Sequence, residues 1–460
     1  MAAAPYLIIS PLTFMSMIGL LRGSQETAEQ EEVVLDEVTV DVVIPAHNEA
    51  RTIALALGSL TKQTKKPRKV FVVDDASTDE TVEVVKAFTA LNALDLVLIE
   101  RRENQGKTPA LKQIARFSDA DVLFVLDGDT VLISDDYIER VVIELMRIPN
   151  RASSCGFVHP LRTIDREKAR SWPIIQKLLK QRPETKITYD DTRLSSISRG
   201  ITNLYRDVLY YFVQNIIYQG ELALFGTLVN PLGCAVAYRR EYLLDLFRET
   251  EMTLGDNLTA SEDIYIGFNF IDRGYHNVQV LEVVVHSMEP EAQKLPKQLY
   301  LWSSAWLQSS YYFPELLTSP FKAMKRRRAR RELNKDILDD DVYIPYQEPL
   351  GRLYAQESGR PIGWAVFFAL FEKITYPLIM ALFIIAGWFD ILGYTILFES
   401  VLFTILLGIF GKEHKLMYMG KGLLITPIRY MSIFTDIFTV GKFFADLTRP
   451  RGKEGRGWRK

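Results

Sequence analysis

The chain has 460 residues, 48% of them hydrophobic, and a formal net charge of −2. That near-neutral balance argues against nucleic acid as a partner, because phosphate-tracking surfaces need a pronounced basic excess. Only Cys155 and Cys234 are present, without CxxC spacing, and the five histidines lack HExxH spacing, so neither a disulfide framework nor a zinc site is expected.

The length permits two or three domains. Charged and apolar residues mix over 36–311 as they do in a soluble body, whereas 364–410 is mostly apolar and implies a membrane body. At the N-terminal end, residues 5–21 form an apolar run about one minimal span long, with no basic stretch before it and no small-x-small cleavage site after it. A retained anchor over 1–24 is expected, the alternative being an interfacial helix. Arg22, after the run, favours a cytoplasmic position for the soluble body.

An acidic linker over 25–37 leads into VDVVIPA (40–46), a near-continuous apolar run of buried parallel-strand type. Ile53, Leu57 and Leu60 have helical spacing, and KVFVVDD (69–75) is a second strand ending in carboxylates. The alternation continues with Ser77 or Thr78 as helix N-cap, a helix carrying Val84, Phe88 and Leu91, a short strand near 96–99, a helix from Lys107, and the strand DVLFVLD ending at Asp127. This is an α/β order, and ligands of such folds bind in the crevice beyond the strand C-termini. Asp74, Asp75, Asp127 and Asp129 are thereby assigned to one candidate site.

Farther on, 172–181 and 203–218 read as helices, 234–238 as a strand and 262–273 as a helix. The basic cluster KRRRARR (325–331) precedes the acidic DILDDD (336–341); the first reads as solvated surface, or alternatively as a contact for anionic lipid headgroups. Spans are expected over 363–389 and 391–410, with Glu372, Lys373 and Glu399 facing protein or water. Residues 416–447 form either a last span or a surface helix, and the basic tail 448–460 favours a cytoplasmic end.

Three groupings carry chemistry. Asp127-Gly128-Asp129 comes after a buried strand, and hard carboxylate oxygens there suit a divalent cation bridging two phosphates, Mg2+ or Mn2+. Asp74-Asp75-Ala76-Ser77-Thr78-Asp79 offers acceptors to a nucleobase or ribose, or alternatively only a capped turn, while Asn104-Gln105-Gly106-Lys107 adds a glycine turn and a cation suited to uridine diphosphate. Ser261-Glu262-Asp263 opens a helix where a carboxylate could take the proton of an attacking hydroxyl, although helix N-termini favour acidic residues anyway.

In order, PAHNE (45–49), DDASTD (74–79), NQGK (104–107), DGD (127–129), GCAVAYRRE (233–241) and SED (261–263) resemble the membrane-bound branch of family 2 glycosyltransferases with the GT-A fold, which includes cellulose, chitin, hyaluronan and poly-N-acetylglucosamine synthases. The resemblance covers about 40–308. It implies Ala46, Glu49, Asp75 and Lys107 around the nucleotide, Asp127 on the uridine or sugar side, Asp129 on the metal, and Asp263 as catalytic base beside Glu262. Acceptor contacts carried over the same way are Gly233, Cys234, Arg239, Gln298 and Trp302.

The implied activity is inverting transfer from a UDP-sugar to a growing β-linked polysaccharide. Its alternatives are single transfer to a membrane lipid and a catalytically silent export scaffold. One departure stands out: where the processive branch has QxxRW, this chain has Gln298-Leu299-Tyr300-Leu301-Trp302, and leucine supplies neither the charge nor the fork of arginine. The expected organisation is a GT-A domain over 38–290, interfacial helices and a charged linker over 291–360, and membrane or interfacial helices over 361–447. A multi-pass membrane location with a cytoplasmic catalytic domain is implied, with membrane lipids as further partners.

Overall fold

The computed structural model describes residues 10–23, 32–187, 192–254, 258–321 and 362–448. The charge clusters at 325–331 and 336–341 and the tail from 449 lie outside them.

A short helix, α1 (Pro11–Arg22), comes first. Strands and helices then alternate as β1 (Val40–Ala46), α2 (Ile53–Lys62), β2 (Lys69–Asp74), α3 (Thr81–Thr89), β3 (Leu96–Glu100), α4 (Lys107–Phe117) and β4 (Val122–Leu126). Apolar runs made these strands because both sheet faces are covered: Val42, Val43, Ile44, Val72, Val73, Leu123 and Phe124 are all fully buried, each worth about 1.5–3 kcal/mol. Ser77 and Thr78 do not cap α3. That helix begins at Thr81, whose backbone N–H donates to Asp79 Oδ1 at 3.0 Å.

The second half contains β5 (Thr130–Leu132), α5 (Tyr137–Met146), β6 (Arg151–Pro160), α6 (Thr163–Arg170), α7 (Pro173–Gln181) and α8 (Arg193–Phe212). One buried π turn, Val213–Tyr218, joins α8 to α9 (Gln219–Phe225). Next come β7 (Ala235–Arg239), α10 (Arg240–Leu254), α11 (Glu262–Asp272), β8 (His276–Ser287) and α12 (Leu295–Tyr312). The eight strands form one mixed sheet in the order β3-β2-β1-β4-β7-β6-β8-β5. β1 to β4 are mutually parallel where they pair, and β7 runs antiparallel between β4 and β6.

After residue 321 the described residues form four helices: α13 (Gly363–Ile385), α14 (Phe389–Phe410), α15 (Lys415–Leu424) and α16 (Thr426–Thr448). Among the described residues, α13 and α14 are long and apolar enough to cross a membrane, and α15 with α16 form a pair bent by 57° that would be a third span if the two act as one. A Cβ on Gly363 would lie 2.5 Å from the Leu316 carbonyl oxygen, and one on Gly411 would strike the Tyr211 hydroxyl, so both ends of the α13–α14 hairpin abut earlier parts of the chain.

Lys373, Glu399, Arg429 and Asp436, inside these helices, are buried in protein, as the cost of charge at membrane depth demands. Lys373 Nζ lies 3.5 Å from Asp436 Oδ1, and Tyr376 donates to Glu399 Oε2 at 2.7 Å. Of the expected anchor, the described part is α1, 12 residues long. It docks on the protein. Gly19 and Gly220 touch backbone to backbone, and Glu372 accepts from Ser10 Oγ and Leu12 N, both at 2.8 Å.

Candidate active site

The C-terminal ends of β1, β2 and β4 open onto a cleft of about 320 Å³ lined by Ala46, His47, Glu49, Asp75, Asn104, Gly106, Lys107, Asp127 and Asp129 among others. Sheet register does this: Ala46 pairs with Asp74, and the residues after Leu126 leave the sheet beside them. Asp74 itself turns inward, its Oδ2 accepting from Ser77 N at 3.1 Å.

Two non-glycine residues of left-handed backbone, Asn48 (φ 60°) and Ala76 (φ 60°), face each other across the cleft rim. Such a conformation costs an alanine about 1–2 kcal/mol. Cross-loop bonds hold it: Asn48 N donates to Ser77 Oγ at 2.9 Å and Thr78 N to Asn48 Oδ1 at 2.8 Å. Asp75 fastens the third loop, accepting from Gln105 N at 3.0 Å, Gly106 N at 2.6 Å and Arg101 Nη1 at 3.2 Å. Gly106, at φ 89°, gives the turn that starts α4 and aims Lys107 inward.

Lys107 Nζ is the hub of the site, 2.7 Å from Asp127 Oδ1, 2.8 Å from Glu262 Oε1 and 3.1 Å from the Gly233 carbonyl. Burial acts to lower its ammonium, but Asp127 and Glu262 outweigh burial and hold it well above the usual lysine range. Burial pushes Asp127 up to about 7 against the pull of Lys107, with Asp129 adding repulsion. Burial and the charge of Glu49 likewise push Asp129 up to about 7, and burial pushes Glu49 itself up to about 7 against its bond from Thr52. Three carboxyls are crowded where charge is costly. Among the described residues, no three His, Cys, Asp or Glu side chains form a complete metal site on their own.

Asp263 sits on the far side of Lys107. Its Oδ1 accepts from Ser261 Oγ at 2.5 Å and Ile264 N at 2.9 Å, and its Oδ2 from Gly233 N at 3.2 Å. A Cβ on Gly233 would come 2.6 Å from Asp263 Cβ, so glycine is required for this approach. The neighbouring Cys234 carbonyl accepts from Asp127 N at 2.9 Å, tying the two halves of the cleft.

Of the residues expected from sequence, Ala46, Glu49, Asp75, Lys107, Asp127 and Asp129 line the cleft, and Glu262, Asp263, Gly233 and Cys234 adjoin it through Lys107. Arg239 does not reach the site. It pairs with Val122 at the opposite end of β4, and its guanidinium donates to the carbonyls of Arg151 at 2.9 Å and Leu145 at 3.1 Å. Gln298 and Trp302 lie on α12 and converge on Arg206 rather than on the cleft lining.

Residues the sequence did not single out include His47, whose Nδ1 lies 2.9 Å from the Asp75 carbonyl, and Glu289. Glu289 comes just after β8, and the Met288 N–H donates to the Asp129 carbonyl at 3.2 Å. A carboxylate just past a strand end was the available signal for Glu289. Arg206 had none, since its partner Gln298 is 92 residues away.

Residues 41–205 match the family model described as glycosyl transferase family 2. Over that stretch, the chain is similar to family 2 glycosyltransferases. An N-acetylglucosaminyltransferase of Rhizobium sp. (strain N33) is 25% identical over 261 residues, 55% of this chain and 49% of that protein. A poly-beta-1,6-N-acetyl-D-glucosamine synthase of Staphylococcus aureus (strain COL) is 25% identical over 108 residues, 23% of this chain and 26% of that one. The chain thus spans about half or less of the length of these curated relatives. Among solved structures, a mannosyltransferase from Pyrobaculum calidifontis in complex with GDP-Man and Mn2+ matches at a TM-score of 0.49 and 15% identity, covering 95% of both chains.

Proposed function

We propose that this glycosyltransferase is inverting and metal-dependent, that it sits in the cell membrane with its catalytic domain on the cytoplasmic side, and that it extends a β-linked polysaccharide from a UDP-sugar. The observation that carries the reading is the cleft in which Asp127, Asp129 and Glu49 crowd opposite Lys107, with Asp263 just beyond. The relatives' names favour N-acetylglucosamine as the sugar.

In this reading the nucleotide lies against Ala46, Glu49 and Asp75, and the loop that Asp75 pins by its backbone N–H groups keeps Lys107 at the phosphates. Asp263 takes the proton from the acceptor hydroxyl as that oxygen attacks the anomeric carbon from the face opposite the leaving group. The bond from that carbon to the diphosphate breaks, and the configuration inverts. Gly233 gives Asp263 room and, through its carbonyl, also holds Lys107.

Asp129, with Asp127 and Glu49 near it, would hold Mg2+ or Mn2+, since buried carboxylate oxygens suit such a hard cation; bound there, it would supply positive charge against the departing diphosphate. The same crowding speaks against a silent scaffold, which has no use for three repelling carboxyls.

Single transfer to a lipid acceptor is the second reading, favoured by Leu301. The test is protein in lipid nanodiscs with manganese and, separately, UDP-glucose, UDP-N-acetylglucosamine and UDP-galactose, reading UDP release and product size. Long product supports polymerisation, a one-sugar lipid moves the reading to single transfer, and no release from any donor refutes the enzyme.

A further inference from the structure

Arg206 is completely buried, at 0% exposure, on a helix that contributes nothing to the cleft lining. Its Nη2 donates to Gln298 Oε1 at 2.5 Å, its guanidinium lies 3.9 Å over the Trp302 ring, and its Nε is 3.2 Å from Glu289 Oε2. Tyr210 donates to the other Glu289 oxygen at 2.7 Å. Arg206 Nη1 has no hydrogen-bond partner among the described residues. Its Nε, though near Glu289, makes no hydrogen bond either, and burying a guanidinium with donors on two of its nitrogens unmet costs more than an apolar side chain of the same volume, so packing alone does not account for it.

Its three partners share a location. Gln298 and Trp302 are four residues apart, on one face of α12, and Glu289 leaves β8 next to the strand that Asp129 opens. Leu301 lies on that same face of α12 and brings no charge. The guanidinium of Arg206 is therefore the cation beside Gln298 and Trp302, delivered from α8.

We propose that Arg206 is a positioning residue for the sugar acceptor: it fixes the plane of Trp302 and the amide of Gln298, and through Glu289 it registers α12 against the strand end at Asp129. The proposal rests on reading Gln298 and Trp302 as acceptor-facing. A cation over one indole face orients the ring, and an oriented aromatic face is what the C–H side of a pyranose stacks on. Lysine cannot substitute, since it lacks both the planar group and the fork.

The test is binding, in nanodiscs, of a soluble β-linked N-acetylglucosamine oligosaccharide and, separately, of UDP with manganese, for wild type, Arg206→Gln and Arg206→Lys. Both variants should weaken the oligosaccharide by roughly tenfold while leaving the UDP affinity within about twofold, and adding Trp302→Leu to Arg206→Gln should cost little more. Unchanged oligosaccharide affinity in folded Arg206→Gln overturns the proposal. If that variant does not fold, Arg206→Lys decides in the same way, and failure of both to fold makes the residue purely structural and overturns it too. Wild type that binds the oligosaccharide yet releases UDP from no donor refutes the transferase reading, with Arg206 still judged by binding. Wild type that releases UDP but binds no oligosaccharide overturns the Arg206 proposal alone.

Discussion

Asp207 accepts a hydrogen bond from Lys421 Nζ at 2.5 Å, across 214 residues of sequence. The same carboxylate takes Tyr418 Oη at 3.0 Å and Arg162 Nη2 at 2.8 Å, and the Tyr211 ring stacks on Tyr418 at 3.6 Å. Arg206, the preceding residue, faces α12. Consecutive residues of α8 thus fasten it to two different helices, α15 and α12.

Asp207→Asn should therefore loosen α15. Burial works to raise the Asp207 carboxyl, but His159 and Lys421 outweigh it and hold it below the usual range. Its contribution is accordingly present above about pH 4 and lost as acid protonates it. We expect a loss of about 2 kcal/mol at neutral pH, with faster amide exchange in Lys415–Leu424; unchanged exchange there would mean that the stacked tyrosines suffice.

Asp263→Asn keeps the shape of the side chain and removes its basicity. Transfer should fall by about 10²–10⁴ with metal-dependent UDP affinity nearly intact, as read by turnover and by nucleotide titration. Turnover at the wild-type level would remove Asp263 from the chemistry.

Gly233→Ala tests the close approach rather than the charge. The new methyl would lie 2.6 Å from Asp263 Cβ, so Asp263 must shift and kcat should fall by about 10² or more, as displacement of a catalytic group by about an ångström does. A normal kcat in this variant would show that the Asp263 position is not critical.

Asp129→Ala should weaken manganese-dependent UDP binding and turnover together, since it removes an oxygen ligand. Equal manganese affinity by titration, before and after, contradicts the assignment.

Glu221, far from the cleft, gives a clean pH test. Burial pushes its carboxyl up to about 8, while its Oε2 accepts from Val229 N at 3.2 Å. The unfolded chain ionises this group first, so wild-type stability declines as pH rises from about 4.5 to 8. Glu221→Gln keeps an acceptor and removes that titration. It should raise the melting temperature at pH 7, by about 1–3 kcal/mol in stability, with the advantage vanishing near pH 4; an equal difference at both pH values would refute the account.

The catalytic half was legible in sequence where chemistry and local pattern coincide. Apolar runs such as 40–46 and 69–74 could only be covered strands, and the carboxylates at their C-terminal ends had to meet at the sheet's end. Arg239 misled because a strand has two ends: five residues after Cys234, at over 3 Å per residue, β7 has carried it away from the cleft. The helix after Asp75 starts later than expected because Asp79, not Ser77, meets the first N–H. Arg206 was illegible, since an arginine in a helix shows no sign of which distant helix it will meet.

The α13–α14 hairpin also limits where a product can go. Two helices side by side, or three with the bent pair, can form a wall but cannot close a ring around a sugar chain, whose hydroxyls would then face hydrocarbon. Passage of a polysaccharide across the bilayer would therefore take helices beyond α13 to α16.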